Sequence, residues 1–316
     1  MPARRSFGRS RVSPAPNAAL EQTAWIAPDQ SAWIALDPTA WMSPADAFAS
    51  DLARARLRRG ELASARSLLS VRTLGVTSLS VAGEPLQGSW LDHRPGKLLK
   101  FLLAERRRVV KVDEIGESIW PGSDYAFSAN VRYYVHVLRR ILEPARPVRS
   151  PASLVICRAG GYALNLAMVE VDADLFESAM RAALPRVAVQ PDLAAPAIES
   201  ALALYGGEFL ADEPYASWAI PERQRLHELA CEGLSALGAI RARQGHARAA
   251  SEALSRLASL QPYDEDVHRR LIELDLACGR RSDALRRYSA LRSRLRQAFG
   301  EEPGFTPAEL SARASV

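Results

Sequence analysis

Arg132, Tyr133, His136, Arg139 and Arg140 fall within nine residues, and on a helix of 3.6 residues per turn they face the same way. Guanidinium groups on such a face neutralise phosphates and donate paired hydrogen bonds, the chemistry of polyanion binding. Other chemistries lack their residues. Cys157, Cys231 and Cys278 are far apart with no C-x-x-C spacing and read as inert core thiols. The histidines at 93, 136, 227, 246 and 268 form no H-x-x-x-H or H-E-x-x-H pair that would seat zinc. The stretch Arg94-Pro95-Gly96-Lys97-Leu98 lacks the first glycine and the hydroxyl of a phosphate-binding P-loop, and no G-x-S-x-G elbow occurs. No catalytic activity, cofactor or metal is expected.

The charge is unevenly placed. Residues 72–166 hold 14 basic and 8 acidic side chains, a balance of +6, whereas 167–316 hold 18 and 22, a balance of −4. A net charge of +5 thus conceals a basic module joined to an acidic one, as expected of a polyanion-binding unit carrying a second unit of another purpose. No window approaches the roughly 20 apolar residues of a membrane span. Arg4-Arg5 is followed by Ser, Pro and Asn rather than an apolar run, so no export signal is read, and a cytoplasmic location without membrane attachment is expected.

The elements that must position these side chains follow from periodicity. Residues 1–43 read as a flexible tail in which Trp25, Trp33 and Trp41 recur every eight residues, offering indoles to dock on the helical half or a partner. Residues 44–71 read as a helical hairpin whose second helix runs through Leu69. RTLGVTSLSVA over 72–82 alternates like a strand, with a turn at Gly83-Glu84-Pro85. Helices are predicted over Arg94–Glu105, with Leu98, Leu99, Phe101, Leu102 and Leu103 on one face, over Val112–Trp120, and over Ser128–Leu142. The third turns Val131, Tyr134, Val135, Leu138 and Ile141 or Leu142 inward. SLVICRAGGYALNL reads as a hairpin tipped by Gly160-Gly161.

Past Val171-Asp172-Ala173-Asp174 the pattern is helical to Ala298, with breaks at Pro191, Gly206-Gly207, Pro214 and Pro262. Gly245 and Gly279 are 34 residues apart, and the same offset relates Ala250 to Ala284, Leu254 to Tyr288 and Leu257 to Leu291. That period is the tetratricopeptide (TPR) one, in which stacked hairpins build a concave partner surface. Gly60, Ala65 and Leu69 repeat the glycine, alanine and leucine offsets.

The stretch VDEIGESIWPGSDYAFSANVRYYVHVLRRILEP, followed by SLVICRAGGYAL, resembles the winged-helix effector domain of OmpR/PhoB-type response regulators. The next 150 residues or so, with GGEFLADEPYASWAIPERQRL, resemble the bacterial transcriptional activator domain. Over 72–312 the chain therefore resembles a regulator of the Streptomyces antibiotic regulatory protein (SARP) type. The fold expected is mainly α: a winged helix-turn-helix with small β-sheets over 72–166, an all-α TPR-like repeat domain over 167–312, and a short tail over 313–316.

The resemblance implies a transcriptional activator that binds double-stranded promoter repeats as side-by-side pairs and recruits RNA polymerase. It places Arg132, Tyr133, His136, Arg139 and Arg140 in the major groove, with Asn130 near the helix start reaching a base edge or phosphate. Arg158 of the wing lies beside the minor groove, and Lys97, Lys100, Arg106, Arg107, Arg108 and Lys111 sit on phosphates. Residues 72–166 are expected to fold and bind DNA alone. The competing reading is a repeat scaffold whose winged helix contacts protein instead.

Overall fold

A computed structural model of the protein describes residues 69–81, 83–121, 127–144 and 153–314. The tryptophan tail and the helical reading of 44–68 lie outside these residues. Leu69 and Val71 alternate with Ser70 and Arg72, so one side of the segment is buried and it forms strand β1 (Leu69–Arg72). It pairs antiparallel with β2 (Ser78–Val81), which carries β3 (Glu84–Pro85) at its other edge. Leu69 therefore belongs to a strand, not to the helix expected to run through it, and the third copy of the glycine-alanine-leucine spacing loses its last position.

The free side of β1 is taken by β7 (Val169–Val171), parallel to it with Leu69 opposite Val169. The sheet order β3-β2-β1-β7 thus draws strands from both sides of the 72–166 span. A 3-10 turn over Ser89–Asp92 leads into α1 (Arg94–Ala104), followed by α2 (Val112–Ile119) and α3 (Phe127–Leu142). A second sheet, ordered β4-β6-β5, consists of β4 (Val110–Lys111), β5 (Val155–Arg158) and β6 (Gly161–Leu164). The last two strands form the wing. Ala159 and Gly160, at φ 49° and 72°, make its two-residue turn, and left-handed backbone at both positions matches the twist of the flanking strands.

One expectation fails inside α1. The helix is buried without interruption from Leu98 to Leu103, Lys100 included, rather than on one face. It is covered by α3 and also by a 3-10 turn over Ser217–Ala219, where the Trp218 ring meets Phe101 edge-on at 5.5 Å.

The helical half comprises α4 (Asp172–Ala183), α5 (Pro191–Leu202), α6 (Ile220–Arg243), α7 (Ala247–Leu260), α8 (Glu265–Ala277), α9 (Arg281–Phe299) and α10 (Pro307–Ala314). The 34-residue repeat is physical. Gly245 and Gly279, at φ 76° and 73°, turn α6 into α7 and α8 into α9, where a side chain would be strained. Five residues on, Ala250 and Ala284 are both fully buried, as are Leu257 and Leu291 further along. One apolar cluster runs unbroken from Leu69 through α1 and α3 to Leu271, so both halves share a core; Ile272, Ala284, Leu291, Leu295, Phe305 and Leu310 form a second. No described helix is long and apolar enough to cross a membrane.

Candidate nucleic-acid interface

The geometry of α3 sorts its side chains. Val131, Val135, Val137, Leu138, Ile141 and Leu142 are buried, Val137 being an addition to the expected inward set. Tyr134 is half-buried, stacked on Trp120 at 5.3 Å, and accepts a hydrogen bond from Arg94 Nη1 at 3.2 Å. Arg132, His136 and Arg140 stand at successive four-residue steps, so they form one row along the helix, and all three are exposed. Asn130 is exposed near the start of the helix. Arg132 and Arg140 make no ion pair with another described residue. Although the side chain is exposed, partial desolvation of the ring against the domain, then the charges of Arg140 and Arg139, hold the His136 pKa below its usual value, so at neutral pH the ring is uncharged and offers one donor and one acceptor.

Two of the expected contact residues turn away from this row. Tyr133 is half-buried, with its ring edge-on to Tyr134 at 5.1 Å. Arg139 donates from Nε and Nη2 to the Val155 carbonyl oxygen at 3.1 and 2.7 Å, tying α3 to the first strand of the wing. At the wing tip Arg158 is exposed, and Lys111 Nζ donates to the Ala159 carbonyl at 2.6 Å. Helix row and wing tip are thus braced by two cations that sequence reasoning assigned to DNA.

The basic cluster of α1 and the turn after it has a different employment. Lys100, only 1% exposed, pairs with Asp212 at 2.7 Å and Glu213 at 3.0 Å. Arg106, with its side chain fully buried, donates to Asp174 and pairs with Glu222 at 2.8 Å. Arg107 pairs with Glu177, which Arg181 and Arg225 also engage. Arg108 bridges Glu105 and Glu114. Lys100 and Arg106 therefore bind the acidic half of their own chain and not phosphates, because burial selects the partner that stays with the fold, while Arg107, half-exposed, pairs with the same half.

The acidic partners sit in the two motifs that open the helical half. Asp172 accepts from Thr73 N, Thr73 Oγ1 and Leu74 N, and also from Ala173 N. Leu74 bridges Phe209, and Asp212 accepts from Thr77 N and Oγ1. Arg223 donates to the carbonyls of Phe209, Leu210, Glu213 and Pro214, fixing the loop that presents Asp212 and Glu213. The stretch GGEFLADEPYASWAIPERQRL is thus a latch onto the winged half. Its two acids beside the buried Phe209-Leu210 were the available signal that cations elsewhere had internal partners. The expectation of inert core thiols holds only for Cys231, which is buried and pushed up to about 11 chiefly by burial; Cys157 on the wing and Cys278 after α8 are exposed.

Comparison with known families matches residues 87–164 to "Transcriptional regulatory protein, C terminal" and residues 171–313 to "Bacterial transcriptional activator domain". The transcriptional regulatory protein EmbR of Mycobacterium tuberculosis is 26% identical over 262 residues, which are 79% of this chain and 64% of EmbR. The regulatory protein AfsR of Streptomyces coelicolor is 30% identical over 213 residues, 65% of this chain and 20% of AfsR. Mycobacterium tuberculosis EmbR, solved with a low-affinity phosphopeptide, superposes with a TM-score of 0.62 at 24% identity, over 79% of this chain and 65% of that one. The chain spans less than two thirds of the length of these relatives. The chain carries a transcriptional-regulator C-terminal domain leading directly into a bacterial transcriptional activator domain, the two-domain order in which it is similar to the SARP-type transcriptional regulators.

Proposed function

We propose that the protein regulates transcription by binding promoter DNA, with the Arg132-His136-Arg140 row in the major groove and Arg158 against the minor groove. The observation that carries this reading is the exposed row itself. An α-helix fits the major groove, arginine bonds guanine in bidentate fashion, and a neutral imidazole accepts or donates at a base edge. Asn130 reaches a base edge or phosphate from the same end of the helix. Tyr133 and Arg139 act indirectly in this reading, Arg139 by aiming the wing.

The helical half serves protein contacts, among them a second copy on adjacent DNA repeats and RNA polymerase, so that the regulator activates. It works by binding rather than by catalysis, in the cytoplasm. The domain division follows the same reading, with the winged module over about 72–166 and the activator module over about 167–312.

A gel-shift titration with genomic promoter fragments tests the core of the proposal. Log affinity is expected to fall linearly with log salt, by about 0.9 per phosphate neutralised, and Arg140→Ala is expected to flatten that slope by about one contact. Affinity that stays constant between about 50 and 200 mM salt would remove DNA as the ligand and favour the scaffold reading.

A further inference from the structure

The helical half contains an open groove of about 530 Å³ between α7, α8 and α9, far in sequence from the residues assigned to DNA. Its size falls within the range of small-molecule sites, about 300 to 1,000 Å³. Its wall is cationic. Arg287 Nε donates to Asp275 Oδ2 at 2.8 Å, and Asp275, 1% exposed, is shared with Arg280. Arg286 pairs with Asp283. Arg294 has no ion pair among the described residues. Among the lining side chains Arg286, Arg287 and Arg294 stand against Asp283 alone, two positive charges in excess, while Asp275 behind the wall is shared between Arg287 and Arg280; two charges are the complement of a phosphate monoester dianion.

A second observation lies in the same wall. His268 lines the groove and is 94% buried, yet its Nε2 has no hydrogen-bond partner. The ring's other nitrogen bonds to the Pro262 backbone, which leaves Nε2 as a bare acceptor in the neutral imidazole. Burial, then the charge of Arg294, keeps the ring's pKa below its usual value, so the neutral form is the resident one. A buried acceptor left unpaired costs stability; Nε2 is closed to solvent as the ring stands, so a ligand's donor restores the bond when the ring edge turns into the groove. Ser255 adds a hydroxyl to the lining.

We propose that this groove binds a phosphorylated small molecule, its phosphate held by the terminal nitrogens of Arg287 and by Arg294, and a hydroxyl or amino hydrogen of the same molecule donated to His268 Nε2 as the ring turns toward the groove. Asp275 acts as the positioning residue: it occupies Arg287 Nε and leaves the terminal nitrogens to the ligand. The proposal does not depend on DNA binding.

The full chain, at low salt, is titrated by calorimetry with inorganic phosphate, glucose 6-phosphate, AMP and the unphosphorylated parents glucose and adenosine. At least one ester is expected to bind more tightly than inorganic phosphate, with both parents silent. Arg294→Glu is expected to weaken that ester by about tenfold or more, the loss of one charge-assisted bond. His268→Phe, which keeps an aromatic ring but removes the acceptor, is expected to lower affinity for the ester while leaving that for inorganic phosphate unchanged. His268→Leu, which also removes the acceptor and is checked for folding by circular dichroism, replaces it should the phenylalanine variant not fold. Silence of all three phosphates, inorganic phosphate binding as tightly as the esters, or ester binding unaffected by Arg294→Glu overturns the proposal. Binding of a polyglutamate peptide with the esters silent overturns it too, and makes the groove a surface for an acidic protein segment.

Discussion

His136 lies between Arg132 and Arg140 in the row on α3, and its surroundings hold it neutral by partial desolvation of the exposed ring and by the charges of Arg140 and Arg139. Phosphates of a bound duplex act in the opposite direction and raise its pKa, so complex formation takes up a proton in the window between the two values. By linkage, affinity for DNA is expected to rise as pH falls from about 8 to about 6, and His136→Gln is expected to flatten this dependence. In folding the sign reverses. With its native pKa depressed, His136 contributes stability that is present above the ordinary histidine value of about 6.5 and declines as pH falls below it. A pH series of gel shifts, paired with melting curves of the free protein, separates the two effects. At this scale the sequence was partly legible. Helical spacing found Arg132, His136 and Arg140, but it could not separate them from Arg139, whose acceptor is a backbone carbonyl 16 residues away on a strand it does not name.

Among the elements, α1 shows most clearly what pattern reading misses. Its leucines predicted an apolar face, yet Lys100 sits in the same buried band because its partner acids arrive from a loop 113 residues later. No local window contains that pairing. Burial alone would lower the Lys100 pKa and raise that of Asp212, but the hydrogen bonds and charge between them reverse both shifts. Lys100→Ala leaves two carboxylates facing a dry cavity and is expected to cost about 3 to 5 kcal/mol in chemical denaturation. Lys100→Met together with Asp212→Asn and Glu213→Gln is expected to recover much of that loss, since removing all the charges spares the desolvation that a half-broken pair retains. Glu177 and Glu222 are likewise held below the ordinary carboxylate range, against burial and by their arginines. Their contribution is therefore present above about pH 4.3 and is lost as pH falls through the depressed values. The helix boundaries, the wing and the 34-residue repeat were legible because each is set by local periodicity and turn chemistry. The latch was not, because it is made wholly by contacts distant in sequence.

For the whole molecule, the shared core changes the expectation for an isolated winged module. A fragment of residues 72–166 lacks β7, most of β1, Phe209, and the acids that neutralise Lys100 and Arg106. It is expected to melt at lower temperature and less cooperatively than a 69–314 fragment, which is expected to unfold in a single calorimetric transition. Two separate transitions in the longer fragment would contradict the continuity of the core. The parallel pairing of β1 with β7 has one more consequence. Because the strand that enters the winged module and the strand that leaves it lie side by side, the helical half cannot swivel about a linker, and on a bound duplex it would project at a fixed azimuth. In the proposed complex, two copies on neighbouring repeats then meet only when the repeats share the same rotational phase. Inserting about 5 base pairs between repeats is expected to abolish cooperative binding, and inserting about 10 to restore it, the signature of a molecule that measures angle around the helix as well as distance along it.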